Sequence, residues 1–146
     1  MPTIYVHGRP IDVLMVDDNP GDIRLAQEAF GETGGIKLHA ASDGLEAMSF
    51  LRREGPYASS PRPDLVLLDL QMPRMNGPET LAQIRADEVL GRMPVAILTS
   101  SNEETDIAKC RDLNANLYLT KPEGFETVAI LVKTINDFAG LGQCRV

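Results

Sequence analysis

The chain is expected to fold as one α/β domain built around a parallel sheet. Three observations predict this class. Its 146 residues, 43% hydrophobic and 24% charged, fit a single globular domain with a substantial core and leave too few for a second unit of typical size. Five apolar runs short enough for strands alternate with longer stretches of helical periodicity. Two of those runs, Val13-Leu14-Met15-Val16 and Leu65-Val66-Leu67-Leu68, are apolar at consecutive positions, as strands covered on both faces are. Buried strands linked through helices imply parallel pairing.

The strands are expected at Ile11–Val16, Ile36–Ala41, Leu65–Leu68, Val95–Leu98 and Leu117–Leu119. Pro20 or Gly21 opens the first helix, whose apolar face holds Ile23, Ala26 and Phe30 with Leu25 and Ala29 beside them; Gly31, Gly34 and Gly35 stop it. Ser42 or Asp43 caps a second helix carrying Leu45, Met48, Phe50 and Leu51, which ends before Gly55. The stretch from Gly55 to Pro63 reads as a stiff, proline-rich loop. A third helix from about Pro78 presents Leu81, Ile84 and Arg85, and a fourth from about Glu103 presents Ile107, Ala108 and Leu113, with exits marked by Pro94 and Asn114. The last runs from about Gly124 to Phe138, with Phe125, Val128, Ala129, Val132, Ile135 and Ala139 at helical spacing toward the sheet. Residues 1–10 then read as an N-terminal extension, 11–139 as the domain and 140–146 as a short tail.

A net charge of −7 argues against nucleic acid or an anionic membrane as main partner and favours a protein with a basic surface. No run approaches a membrane span, and Met1 to His7 lacks the basic start and long apolar run of a signal peptide, so the expected location is the cytoplasm. Cys110 and Cys144 have no companion at metal-ligand spacing, which points to ordinary thiols, with neither a disulfide framework nor a zinc site.

In an open parallel sheet, ligands gather beyond the carboxyl ends of the strands. Here Val16 is followed by Asp17-Asp18, Leu68 by Asp69, Leu98 by Thr99-Ser100, and Leu119-Thr120 by Lys121-Pro122. Separate strand ends thus deliver three carboxylates, two hydroxyls and an amine to one edge. Carboxylates crowded in a poorly hydrated cleft resist ionising together unless a cation offsets them. A hard divalent ion such as Mg²⁺, which prefers a few oxygen ligands and keeps positions open for phosphate, suits Asp17, Asp18 and Asp69, and Lys121 adds a fixed positive charge. Blander readings stand beside these. Asp17, Asp18 and Asn19 are also good helix caps, as are Thr99 and Ser100, and Lys121 alone is an ordinary surface amine. Asp69 is harder to reduce to a cap, because an acid directly after four apolar residues and before Leu70 must surface from a buried strand.

At these residues the sequence resembles the receiver domain of bacterial two-component response regulators, from about Ile11 to Phe138. Val16-Asp17-Asp18-Asn19 looks like the acidic pair and Leu68-Asp69-Leu70-Gln71-Met72-Pro73 like the phosphoacceptor loop. Leu98-Thr99-Ser100 is similar to the hydroxyl switch, and Leu119-Thr120-Lys121-Pro122 to the lysine motif. The resemblance implies a flavodoxin-like (βα)5 doubly wound sheet, strand order 2-1-3-4-5, of the CheY-like receiver type. It also implies that Asp69 accepts phosphate, that Asp17, Asp18, Asp69 and the Gln71 backbone carbonyl hold Mg²⁺, with Mn²⁺ or Ca²⁺ as substitutes, and that Thr99, Ser100 and Lys121 contact the phosphoryl group. Tyr118 resembles the aromatic that swings inward when the threonine moves; the plainer reading is a half-buried strand tyrosine. Residues 17–25 and 51–57 further resemble the small stand-alone regulators paired with phytochrome histidine kinases. Asn76 stands where an Asp-Gly turn is frequent in the family, and Gln71 where Asn or another residue often occurs.

The function this implies is phosphoryl transfer from a sensor histidine kinase, of phytochrome type, onto Asp69, with slow autodephosphorylation and output through protein contacts. A histidine phosphotransfer protein is a further expected partner. The apolar run Val128 to Val132 goes around the helix, so Ile130 is expected to face away from the sheet, and a homodimer seam along the last helix follows from it. A rival from another class is a Mg²⁺-dependent phosphohydrolase with an aspartyl nucleophile, disfavoured because Gln71 stands where a general acid would be needed. A second is a docking module that never takes phosphate, disfavoured by the complete acidic set.

Overall fold

A computed structural model of the chain describes residues 5, 6, 9–33, 35–70, 72, 74–99, 104–121 and 124–130. Five strands form the expected parallel sheet: β2 (Arg9–Val16), β3 (Ile36–Ala41), β4 (Leu65–Asp69), β5 (Val95–Thr99) and β6 (Leu117–Thr120). Their spatial order is β3-β2-β4-β5-β6, which is 2-1-3-4-5 when the parallel strands are counted along the chain. A two-residue strand, β1 (Tyr5–Val6), pairs antiparallel with Pro10 and Arg9 at the start of β2, so β2 starts two residues earlier than the apolar run beginning at Ile11 implies.

The consecutive apolar residues do what covered strands require. Leu14, Val16, Val66, Leu68, Val95 and Ile97 point into one core, with Met48, Leu51, Leu81, Ile84 and Cys110. Val13, Met15, Leu67, Ala96 and Leu98 point into the other, with Ala26, Phe30, Phe125 and Val128. Alternate side chains therefore feed cores on opposite faces, each large one contributing about 1.5–3 kcal/mol of apolar burial.

The helices are α1 (Pro20–Thr33), α2 (Gly44–Arg52), α3 (Gly77–Ala86), α4 (Glu104–Asp112) and the described part of α5, 124–130. Asn19, not Asp17 or Asp18, caps α1, its Oδ1 accepting from the Gly21 amide at 2.8 Å. Asp43 caps α2, accepting from the Glu46 amide, and its other oxygen pairs with Arg74. Asn76 closes a reciprocal capping box with Glu79 at the start of α3.

Several expectations need correction. The first helix runs through Gly31 to Thr33, since one glycine weakens a helix without ending it. Leu25 and Leu45 are 45% and 46% exposed, because each lies off the stripe set by Ala26 and Phe30, or by Met48 and Leu51. In α4 the buried residue is Cys110, and Ala108 faces solvent. The third helix ends at Ala86, well before Pro94. What organises the segment after it is Arg85, whose guanidinium donates to the carbonyls of Gly91, Met93, Leu113 and Asn114 and to the Asn116 side chain. The loop after α2 includes a 3-10 turn at Gly55–Tyr57. The expected end of the last helix, with Val132, Ile135, Phe138 and Ala139, lies outside the described residues.

Candidate functional site

Parallel pairing in register sets the site. Val16 lies opposite Leu68, Leu68 opposite Ile97, and Asp69 opposite Leu98, so β2, β4 and β5 finish at one level. Thr99 pairs with Thr120, and the Lys121 amide donates to the Thr99 carbonyl at 2.8 Å, which places the lysine one step beyond the hydroxyl strand. Asp69 and Thr99 are the last residues of their strands rather than the first of the loops, because Asp69 (5% exposed) and Thr99 (7%) still lie between covering elements.

The carboxylates converge as expected. One oxygen from each of Asp17, Asp18 and Asp69 lies within 4.8 Å of the others, with Asp17 and Asp69 buried and Asp18 exposed. Asp17 is fully inaccessible; its Oδ1 accepts from the Asn19 amide and its Oδ2 from Lys121 Nζ, both at 2.9 Å. The Lys121 ammonium also donates to Asp22 Oδ2 at 2.9 Å and stands 3.4 Å from Asp69 Oδ2. Burial alone would lower the affinity of this amine for its proton. The hydrogen bonds to Asp22 and Asp17, with the charges of Asp69 and Asp17, outweigh it and hold the amine well above the ordinary lysine range. Lys121 therefore brings a positive charge against the carboxylates of Asp17, Asp22 and Asp69.

The close fit behind Asp69 depends on Gly77. A β-carbon there would lie 2.6 Å from the Asp69 carbonyl oxygen and 2.8 Å from Leu70 Cα, so only glycine lets the α3 N-terminus approach the strand end this closely. Asn76, just before Gly77, fixes the start of α3 through its capping box with Glu79.

Tyr118 sits half-buried on β6 against the core on the α2–α3 side. Its hydroxyl is buried with no hydrogen-bond partner among the described residues, and burial raises its pKa. Gln71 and Ser100, both expected at the site, lie outside the described residues. Asp22 is the residue that sequence reasoning left without a role: an acid in the first turn of a helix reads as a partner of the helix dipole. Its position beside a strand-end lysine emerges only when β2 and β6 are placed in one sheet.

An oxygen-rich, anionic donor set of this kind suits a hard divalent cation, and the exposed Asp18 leaves it open to solvent. No helix among the described residues is long and apolar enough to cross a membrane.

Comparison with known proteins agrees with this geometry. The family model for the response regulator receiver domain matches residues 13–133. Response regulator Rcp1 of Synechocystis is 41% identical over 131 residues, covering 88% of each chain. The crystal structure of the phosphorylated cyanobacterial phytochrome response regulator RcpA superposes with a TM-score of 0.75 at 43% identity, covering 88% of this chain and 93% of that one. The Mn²⁺-bound form of Rcp1 gives a TM-score of 0.72 at 40% identity, covering 89% and 94%.

Proposed function

The chain belongs to the response regulator receiver family, and from that premise we propose that it accepts a phosphoryl group on Asp69 from a sensor histidine kinase and signals through altered protein contacts. The observation that carries the reading is the convergence of Asp17, Asp18 and Asp69 beside the buried ammonium of Lys121. The Asp69 carboxylate attacks the phosphorus of a kinase phosphohistidine; the O–P bond forms as the N–P bond breaks, and the imidazole leaves with the electron pair.

Asp17, Asp18, Asp69 and the Gln71 carbonyl would hold Mg²⁺, for which Mn²⁺ or Ca²⁺ can substitute. When bound, the cation offsets charge on the carboxylates and on the transferring oxygens. Lys121 supplies the second positive charge, and the Thr99 and Ser100 hydroxyls donate to phosphoryl oxygens. Tyr118, whose hydroxyl has no hydrogen-bond partner among the described residues, would report the change by moving inward. The acyl phosphate is then lost slowly to water.

Similarity to Rcp1 and RcpA supports a phytochrome-type kinase as the donor. A histidine phosphotransfer protein can receive the group in turn. We take residues 11–139 as the receiver, with β2 beginning two residues before that boundary, and Ile130 on α5, 64% exposed, contributes to a homodimer seam. Phosphotransfer from a phosphorylated histidine kinase, or labelling by acetyl phosphate, is expected in Mg²⁺ and is expected to disappear in EDTA and in Asp69→Asn. Undiminished labelling of that variant overturns the assignment.

A further inference from the structure

The Lys121 ammonium has three N–H donors, and two of them are committed at 2.9 Å, one to Asp17 and one to Asp22; Asp69 stands farther off, at 3.4 Å. Asp22 is outside the group of carboxylates that can share a cation, which among the described residues is Asp17, Asp18 and Asp69. It is also held in place: it sits in the first turn of α1, its amide donating to the Asn19 carbonyl at 3.1 Å, and its side chain is 21% exposed. A fixed anion that takes a lysine proton without serving a cation competes with whatever else the lysine must bind.

We propose that Asp22 is a positioning residue that draws the Lys121 ammonium toward α1 and away from Asp69, and so limits how tightly the site holds a phosphoryl group. The inference rests on the phosphoacceptor reading above. Its physics is local. A phosphoryl group on Asp69 places new anionic oxygens within the lysine's reach, and these must win the ammonium from Asp22. Neutralising Asp22 removes both the competitor and one negative charge facing the incoming anion. The same change acts oppositely on a divalent cation, which loses a nearby negative charge and meets an ammonium shared only among Asp17 and Asp69.

The test uses the full chain and beryllofluoride, an anion that occupies an aspartate as a phosphoryl mimic. At saturating Mg²⁺, Asp22→Asn is expected to bind beryllofluoride roughly tenfold more tightly than the wild type, while its affinity for Mg²⁺ alone falls a few-fold. Asp22→Glu, which keeps the charge and reaches the amine, is expected to restore both values. Opposite movements of the two affinities separate positioning from loss of structure, which weakens both together. Unchanged or weaker beryllofluoride binding by Asp22→Asn, with a normal wild-type complex, overturns the role of Asp22 alone. A wild type that forms no complex, or an Asp69→Asn variant that forms one equally well, overturns the phosphoacceptor reading and this inference with it.

Discussion

Glu46 and Tyr57 meet at 2.6 Å, the tyrosine hydroxyl donating to the carboxylate on α2. That bond, helped by the Ser42 amide and hydroxyl, holds the Glu46 carboxyl below its ordinary value of 4.5, and the carboxylate in turn raises Tyr57 above 10.0. A depressed carboxyl contributes stability that is present above its unfolded value and is lost as pH falls through the folded one. A raised phenol contributes stability that is present below its unfolded value and is lost as pH rises through the folded one. The pair therefore stabilises a neutral window closed at both ends. Between pH 7 and pH 3.5 the urea midpoint is expected to fall less in Glu46→Gln than in the wild type; equal falls would show that the pair carries no acid sensitivity. Single residues differ in how much the sequence reveals about them. Asp69 is legible because a charge directly follows a buried run, and Lys121 only in company with the acids at the other strand ends, since alone it reads as a surface amine. Asp22 and Glu46 are not, since an acid near a helix start always has a local explanation and their partners lie far along the chain or across a loop.

The α3 helix shows what an element adds. Its capping box fixes where it starts, Gly77 lets that start abut the Asp69 strand end, and Leu81 and Ile84 anchor it in the core. Gly77→Ala is expected to destabilise the fold by about 1–3 kcal/mol, the scale of overpacking a tight contact, and to slow phosphoryl labelling of Asp69 because the strand end itself must give way. Thermal denaturation and acetyl phosphate labelling check both; a wild-type rate with wild-type stability would show that the contact is soft. Elements with strong periodic patterns could be read directly. The five parallel strands fall where their consecutive apolar residues put them, whereas β2 begins at Arg9 because an antiparallel partner needs no apolar pattern to pair. The weakly amphipathic α4 carries little pattern that orients it: its one buried residue is a cysteine flanked by charged Lys109 and Arg111. Burial pushes that Cys110 thiol up to about 11, in keeping with an unreactive core residue.

For the whole molecule, parallel pairing was legible from the buried strands and their helical connections, whereas the strand order came only with the family resemblance, and the ladder observed is the one that resemblance implies. What one copy cannot bury is left on its surface. Ile130 is 64% exposed on α5, next to the buried Val128 and Ala129. Covering it against a second copy would contribute about 1.5–3 kcal/mol for each isoleucine, enough to move self-association by a factor of ten or more. Sedimentation is expected to show a dimer for the wild type and monomer for Ile130→Asp at the same concentration. Monomer alone for the wild type, with and without beryllofluoride, removes the seam. Elsewhere on the molecule, the chain around the end of α4 is organised by Arg85. Its guanidinium grips the chain just past the end of α4, at Leu113, Asn114 and Asn116, and ties it to Gly91 and Met93. The helix is hung like a door from its far edge. With that end pinned, a displacement set off at the Thr99 end by a phosphoryl group on Asp69 is expected to reach the outer surface as a swing about Arg85.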